Sequence, residues 1–289
     1  MKYIFFGTPE FAATILQKLI EADMPPLALV CNPDRSQGRK KIITPPPAKD
    51  IVTKSVVKID ILQPEVLDNA FLAKLKSYGA DFYVVAAYSK ILKPELINIP
   101  LKGVVGVHPS LLPKLRGASP IQSAILKGDE TTGVTLFLID EKVDHGPMIG
   151  SVTYIMDRPH IYTELMDILA RLAGALLVKT LPAYNNGYIE PEAQNEEEAT
   201  FTKKFSTEDG EVNIEDLKKA MSGADRQLAD LTNRKIKGLN PEPGVFTFID
   251  GKRTKLLSSG IRNGKLELKE IQFEGKNPIP FSSYNKAII

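Results

Sequence analysis

Apolar residues along the first two thirds of the chain fall into two alternating rhythms. Short runs at Lys2–Phe6, Leu27–Cys31, Val56–Ile59, Asp81–Ala87, Val104–Val107 and Gly133–Ile139 predict strands. Between them, apolar positions recur at helical spacing. Phe11, Ile15, Leu16 and Leu19 form one such set, and Leu67, Phe71, Leu72 and Leu75 form another within Pro64–Tyr78. Ala48 begins a further helix, and Pro120–Leu126 fits a short one. Ile161–Leu181 carries a long stripe of Leu165, Ile168, Leu169, Leu172, Leu176 and Leu177, which is most simply core packing. Ile149–Ile155 alternates like an edge strand. Strands alternating with helices predict an α/β domain with a mainly parallel sheet.

Punctuation sharpens this outline. Gly7 ends the first strand, Thr8 is placed to cap a helix, and Pro9 suits the first helical position. The turn lacks a Gly-x-Gly-x-x-Gly pattern, so no dinucleotide phosphate site is expected. Residues 32–47 are basic and full of breakers, which predicts an exposed loop. From Asn185 to Thr200 the chain turns glutamate-rich and nearly free of apolar residues, the composition of a linker. Beyond it the rhythm changes. Ile214–Leu231 reads as helix with a glycine interruption. Val245–Ile249, Thr254–Leu257 and Leu266–Phe273 read as short strands between turns, as in a small barrel. The expected organisation is a domain over 1–189, a linker over 190–204 and a second domain over 205–289.

Composition adds limits. The 289 residues are 43% hydrophobic and 25% charged, an ordinary globular balance. A net charge of +2 means that any nucleic-acid partner is met by a local patch rather than a bulk field. The single cysteine, Cys31, excludes an intramolecular disulfide and multi-cysteine metal sites. Three dispersed histidines, with His145 and His160 in loops, predict no metal site. No apolar run of membrane-spanning length or signal segment is present, so the expectation is a cytoplasmic protein.

The candidate chemistry lies in Gly103–Gly117. An apolar strand meets His108 and breaks at Pro109, and ligands of parallel sheets sit at the carboxyl edges of strands. His108 is therefore a candidate base. If the strand ending at Ile139 is its neighbour, Asp144 in the following loop can orient the imidazole. Taken singly, each residue also has a plainer role: His108 bonded to a loop, Asp144 capping a turn.

His108-Pro-Ser-Leu-Leu-Pro113, followed by Arg116-Gly-Ala-Ser-Pro-Ile121, resembles the signature of the formyltransferases that use 10-formyltetrahydrofolate. Val143-Asp-His-Gly146 resembles that family's second signature, which carries its catalytic aspartate. Phe6-Gly-Thr-Pro-Glu-Phe-Ala12 is similar to the opening motif of the branch acting on methionyl-tRNA, and the resemblance runs nearly end to end.

It implies a Rossmann-like formyltransferase domain followed by a small OB-like β-barrel that binds tRNA. The reaction it implies is formyl transfer from 10-formyltetrahydrofolate to the amino group of methionyl-initiator tRNA, with no metal, in a monomer. His108 and Asp144 would be catalytic, and Ser110, Leu111, Leu112 and Pro113 would shape the folate site. Arg39, Lys40 and Lys41 in the basic loop would contact tRNA; a solvated loop is the plain alternative. Lys and Arg residues near the Pro241–Gly244 turn are further candidates.

Two positions depart from the pattern. Gly106 stands where the family has an asparagine whose amide holds the developing oxyanion, and losing such a donor costs roughly 3–4 kcal/mol. Ser89 stands in place of a glycine after Tyr88, and a link between the two changes is one hypothesis: Ser89 would supply space or hydrogen bonding that Gly106 gives up. The rival functions are formyl transfer to another amine, such as an amino sugar or purine precursor, and non-catalytic binding of tRNA or folate.

Overall fold

A computed structural model describes residues 1–37 and 41–284. It divides into two compact units. The first comprises Met1–Gly117, Thr132–Tyr154 and Met166–Phe201; the second comprises Ala118–Thr131, Ile155–Leu165 and Thr202–Ile289. The units thus interleave in sequence, where a division at 190–204 was expected.

In chain order the first unit opens with β1 (Tyr3–Gly7), α1 (Glu10–Glu21) and β2 (Ala28–Val30). Thr8 does not cap α1. Pro9 holds that position without a side-chain hydrogen bond, and Thr8 Oγ1 instead accepts from the Asn32 N–H. Within the basic segment, β3 (Arg35–Gln37) pairs antiparallel with β4 (Ile42–Thr44). Lys41 is exposed in the turn, while Arg39 and Lys40 lie outside the described residues.

Then come α2 (Pro47–Lys54), β5 (Asp60–Leu62) and α3 (Asn69–Ser77). The strand expected at Val56–Ile59 starts at Asp60, which pairs with Ala28, while Val56 is fully exposed. The helix expected from Pro64 starts at Asn69, because the Asp68 carboxylate accepts from Phe71 N–H and fixes the N-terminus there. After β6 (Phe82–Ala86) and the short α4 (Pro94–Ile97) comes β7 (Val104–His108).

The chain continues through β8 (Arg116–Gly117), α5 (Pro120–Lys127), β9 (Thr131–Leu138), β10 (Met148–Ile155) and α6 (Tyr162–Asn185), then β11 (Phe201–Thr202). The main sheet has the order β10-β9-β7-β6-β1-β2-β5. β5, β2, β1, β6 and β7 are parallel, and β9 runs antiparallel to β7. Ile4, Phe6, Val30, Leu62, Tyr83 and Val104 form one apolar cluster on it. The Cys31 thiol is buried, and that burial pushes it up to about 12, so it is an inert core residue.

In the second unit, α7 (Ile214–Ser222) ends at Gly223, whose φ of 82° is the left-handed C-terminal stop that the sequence interruption marks. The α8 helix (Arg226–Leu239) restarts under the Asp225 cap. β12 (Phe246–Ile249), β13 (Lys252–Arg262), β14 (Lys265–Phe273) and β15 (Ile279–Pro280) form an antiparallel meander in that order. Leu217, Ile236, Leu256, Leu266 and Ile271 pack in its core. α5 joins this unit against α8, where Gly238 sits beside Ile125. Among the described residues, no helix is long and apolar enough to cross a membrane.

Candidate active site

β7 delivers His108 to the carboxyl edge of the parallel strands, as its apolar run and the Pro109 break predict. His108 is 6% exposed. Its Nε2 lies 2.9 Å from the Leu115 carbonyl. A carbonyl oxygen accepts only, so Nε2 carries a proton and Nδ1 is the atom left to take another. Nδ1 faces the Asp144 carboxylate, with Oδ2 at 3.5 Å. The two strands are indeed neighbours. After β9 the chain doubles back, with Leu138 N–H donating to Pro147 O, and this return carries Asp144 to the histidine. Asp144 Oδ2 also accepts from Gly117 N–H at 2.8 Å. The site thus holds an imidazole with one open nitrogen beside a carboxylate, an arrangement suited to proton transfer.

The loop after His108 is built from inside. Ser110 is buried and its hydroxyl donates to Lys114 O at 2.6 Å. Thr135, directly opposite His108 on β9, donates to Ser110 O and accepts from Leu112 N–H. Leu111 packs where Gly133 lacks a side chain. Ser110, Leu111, Leu112 and Pro113 therefore form a supported wall beside the histidine.

Gly106 and Phe137 are register partners, so they share a face with His108 and Thr135. A Cβ at 106 would stand 2.5 and 2.6 Å from two Phe137 ring carbons and 3.0 Å from Ile139 Cγ1. The ring of Phe137 fills the space of a larger side chain. That corrects the suggestion that Ser89 compensates for Gly106. Ser89 is exposed, and its hydroxyl accepts from Asn32 Nδ2 at 2.9 Å. Tyr88 next to it packs edge-on against Phe6, and burial pushes its hydroxyl up to about 12.

The glutamate-rich segment is not free chain. Glu192 pairs with Met148 through both backbone groups, and Thr200 makes three hydrogen bonds to Pro113, Leu115 and Arg116. Arg116, 2% exposed, forms a two-point ion pair with Glu196, with Nη2–Oε1 at 2.6 Å. Composition hid these roles, since the partners are distant in sequence, with Arg116 and Glu196 80 residues apart. The nearest sequence signal was Arg116 inside the long motif.

The Arg116 guanidinium holds the Glu196 carboxyl below its ordinary value of 4.5. A depressed carboxylate contributes stability that is complete above its unfolded value and lost as pH falls through the folded one. Wild type is therefore expected to lose stability on acidification below about pH 4.5 more steeply than Glu196→Gln. Urea midpoints against pH measure this, and parallel curves would reject it.

His145 is not solitary in its loop; its Nδ1 meets Asp140 Oδ2 at 2.6 Å. His160 is buried beside Glu164. Among the described residues, no group of three histidine, cysteine or acidic side chains is placed to hold a metal ion.

Comparison with known proteins gives the family. The formyl transferase family matches residues 1–181. The chain therefore belongs to the formyl transferase family. Within it, relatives that match over most of the chain are methionyl-tRNA formyltransferases. That of Lachnospira eligens is 37% identical, covering 96% of this chain and 84% of its own. That of Caldanaerobacter subterraneus is 38% identical, covering 89% and 79%. Solved structures share the fold. The methionyl-tRNA formyltransferase of Clostridium thermocellum has a TM-score of 0.60 at 17% identity, covering 94% of this chain and 98% of that one. HypX of Aquifex aeolicus, in complex with tetrahydrofolic acid, has a TM-score of 0.66 at 14% identity, covering 98% and 46%.

Proposed function

We propose that the chain transfers a formyl group from 10-formyltetrahydrofolate to the amino group of methionyl-initiator tRNA. The observation that carries this is the placement of Asp144 beside His108 in a chain 37% identical, over almost its whole length, to methionyl-tRNA formyltransferases.

The nucleophile belongs to the substrate. Its α-amino group has an ordinary pKa of about 7.7–8.0, so an appreciable part is ammonium at neutral pH and must lose a proton. His108 accepts a proton at Nδ1, where Asp144 balances the resulting charge. The free amine attacks the formyl carbon, and the carbonyl π pair moves onto oxygen. The attacking nitrogen, now cationic, releases its second proton to solvent; as the carbonyl re-forms, the bond to the folate N10 breaks and that nitrogen takes the proton held by His108. His108 is placed to hold the proton between these steps. Gly106 gives the oxyanion no side-chain donor, so a backbone amide or water at the strand edge fills that role. Ser110, Leu111, Leu112 and Pro113 shape the folate side.

In this reading residues 1–189 carry catalysis and folate binding. Residues 190–204 lead to 205–289, whose meander and helices serve as an OB-like tRNA-binding module. Arg39, Lys40 and Lys41 meet the phosphates of the acceptor stem. Phosphate contacts make affinity fall with salt. The protein acts as a cytoplasmic monomer beside the translation machinery.

A single-turnover assay with radiolabelled 10-formyltetrahydrofolate tests the assignment. Methionyl-initiator tRNA is expected to be formylated, while a nucleotide-linked amino sugar and a purine precursor amine are not. Folate binding without transfer to tRNA would reject it.

A further inference from the structure

We propose that Arg116 and Gln194 are positioning residues that hold the Asp144 turn, and with it the Asp144 carboxylate, against His108. This rests on the reading of Asp144 as the partner of His108.

The turn needs support from outside. Asp144 has φ of 49°, in the left-handed region, which costs an L-residue roughly 1–2 kcal/mol. Two residues on, a Cβ on Gly146 would fall 1.8 Å from Leu138 O, so the chain returns at closest approach.

Gln194 braces both ends of that turn. Its Nε2 donates to Asp144 O at 2.9 Å and to Gly146 O at 2.8 Å. Arg116 fixes the direction of this amide. Gln194 Oε1 accepts from Arg116 Nε at 3.0 Å and Nη2 at 2.8 Å. A guanidinium has no acceptor and a carbonyl no donor, so a flipped carboxamide would face donors with donors and acceptors with acceptors. Arg116 is in turn anchored by Glu196 and lies 5.9 Å from the centre of the Phe201 ring.

A second tie closes the circuit. The residue after Arg116, Gly117, gives its N–H to the Asp144 carboxylate itself. One short segment thus holds Asp144 twice: by its carboxylate directly, and by its carbonyl through Gln194. Both groups are buried, Arg116 at 2% and Gln194 at 8% exposure, where geometry is tightly held.

The decisive variant is Gln194→Glu. It keeps the one acceptor oxygen that takes both Arg116 N–H groups but replaces the amide donor with an oxygen facing two carbonyls. The link to the turn is cut while the anchor survives. Arg116→Lys, which removes the fork, is the companion.

Amide exchange of Gly117 reads the carboxylate's position without reference to activity. In Gln194→Glu it is expected to quicken at least about tenfold, with the amides of Val105 and Val107 in the sheet unchanged. The kcat for transfer is expected to fall about 100-fold, the scale of a small misplacement, with KM for both substrates within twofold. In an Asp144→Ala background the same change should cost less than about twofold, because residues acting as a unit are non-additive.

Unchanged Gly117 exchange overturns the proposal, as does uniform quickening throughout the sheet, which marks a merely structural role. If Asp144→Ala itself transfers formyl at the normal rate, the catalytic reading of Asp144 fails, and the exchange data still decide the positioning.

Discussion

His108→Ala and Asp144→Ala each lower the single-turnover rate of formyl transfer by about 10²- to 10⁴-fold, the span of one general acid–base group. Neither unfolds the protein. His108 gives one hydrogen bond to Leu115 O, and a lost buried bond of this kind costs about 0.5–1.5 kcal/mol. Asp144 is partly exposed and accepts from Gly117 N–H. Asp144→Asn separates the two functions of that side chain, because its Oδ1 can still accept from Gly117 but brings no negative charge to the imidazole. Asn is expected to keep the melting temperature of wild type and to share most of the rate loss of Ala. Rates, circular dichroism and melting curves measured together check this. Near-normal rates in both alanine variants would reject His108 and Asp144 as the reacting pair.

The legible part of the fold was the part encoded locally. Continuous apolar runs marked the core strands, and the break at Pro109 marked where β7 delivers His108. The glycine interruption before α8 is visible in the sequence because Gly223 alone satisfies the left-handed stop. Asp144 was within reach on the condition that two strands are neighbours, and β7 and β9 are. Boundaries failed where a cap or a register decided them, as at Asp68 and Asp60. The support of the site was not legible at all. Gln194, Glu196 and Thr200 sit in a stretch whose composition signals solvated chain, and Arg116 reaches them across more than seventy residues. Such contacts leave no periodic trace. Thr135 was likewise hidden, since it reads as one polar residue in an apolar strand until the register sets it opposite His108.

Gly106→Asn is expected to destabilise the protein by about 1–3 kcal/mol, the usual cost of overpacking, and to bring no gain in rate. The family resemblance on its own suggests the opposite, a restored oxyanion donor. The structure supplies the reason: the space such a side chain needs is taken by the Phe137 ring, 2.5 Å from the first added atom, with Ile139 behind it. Glycine at 106 and phenylalanine at 137 are one fitted pair across β7 and β9. Shrinking the ring alone, as in Phe137→Val, leaves a cavity in a wall that is 4% exposed and destabilises on its own account. Combining the two changes fills the cavity with the carboxamide. The double variant is therefore expected to be more stable than the sum of the single effects by about 1 kcal/mol or more, a coupling typical of residues in contact. It also turns an amide toward the face occupied by His108. Its single-turnover rate is expected to exceed that of Phe137→Val by about tenfold or more, within the roughly 100- to 1,000-fold worth of a well-placed oxyanion donor. Urea melts of the four proteins give the coupling, and quenched-flow transfer gives the rates. Strict additivity in stability, with no acceleration in the double variant, would show that the ring does not exclude the amide and that the two positions are independent.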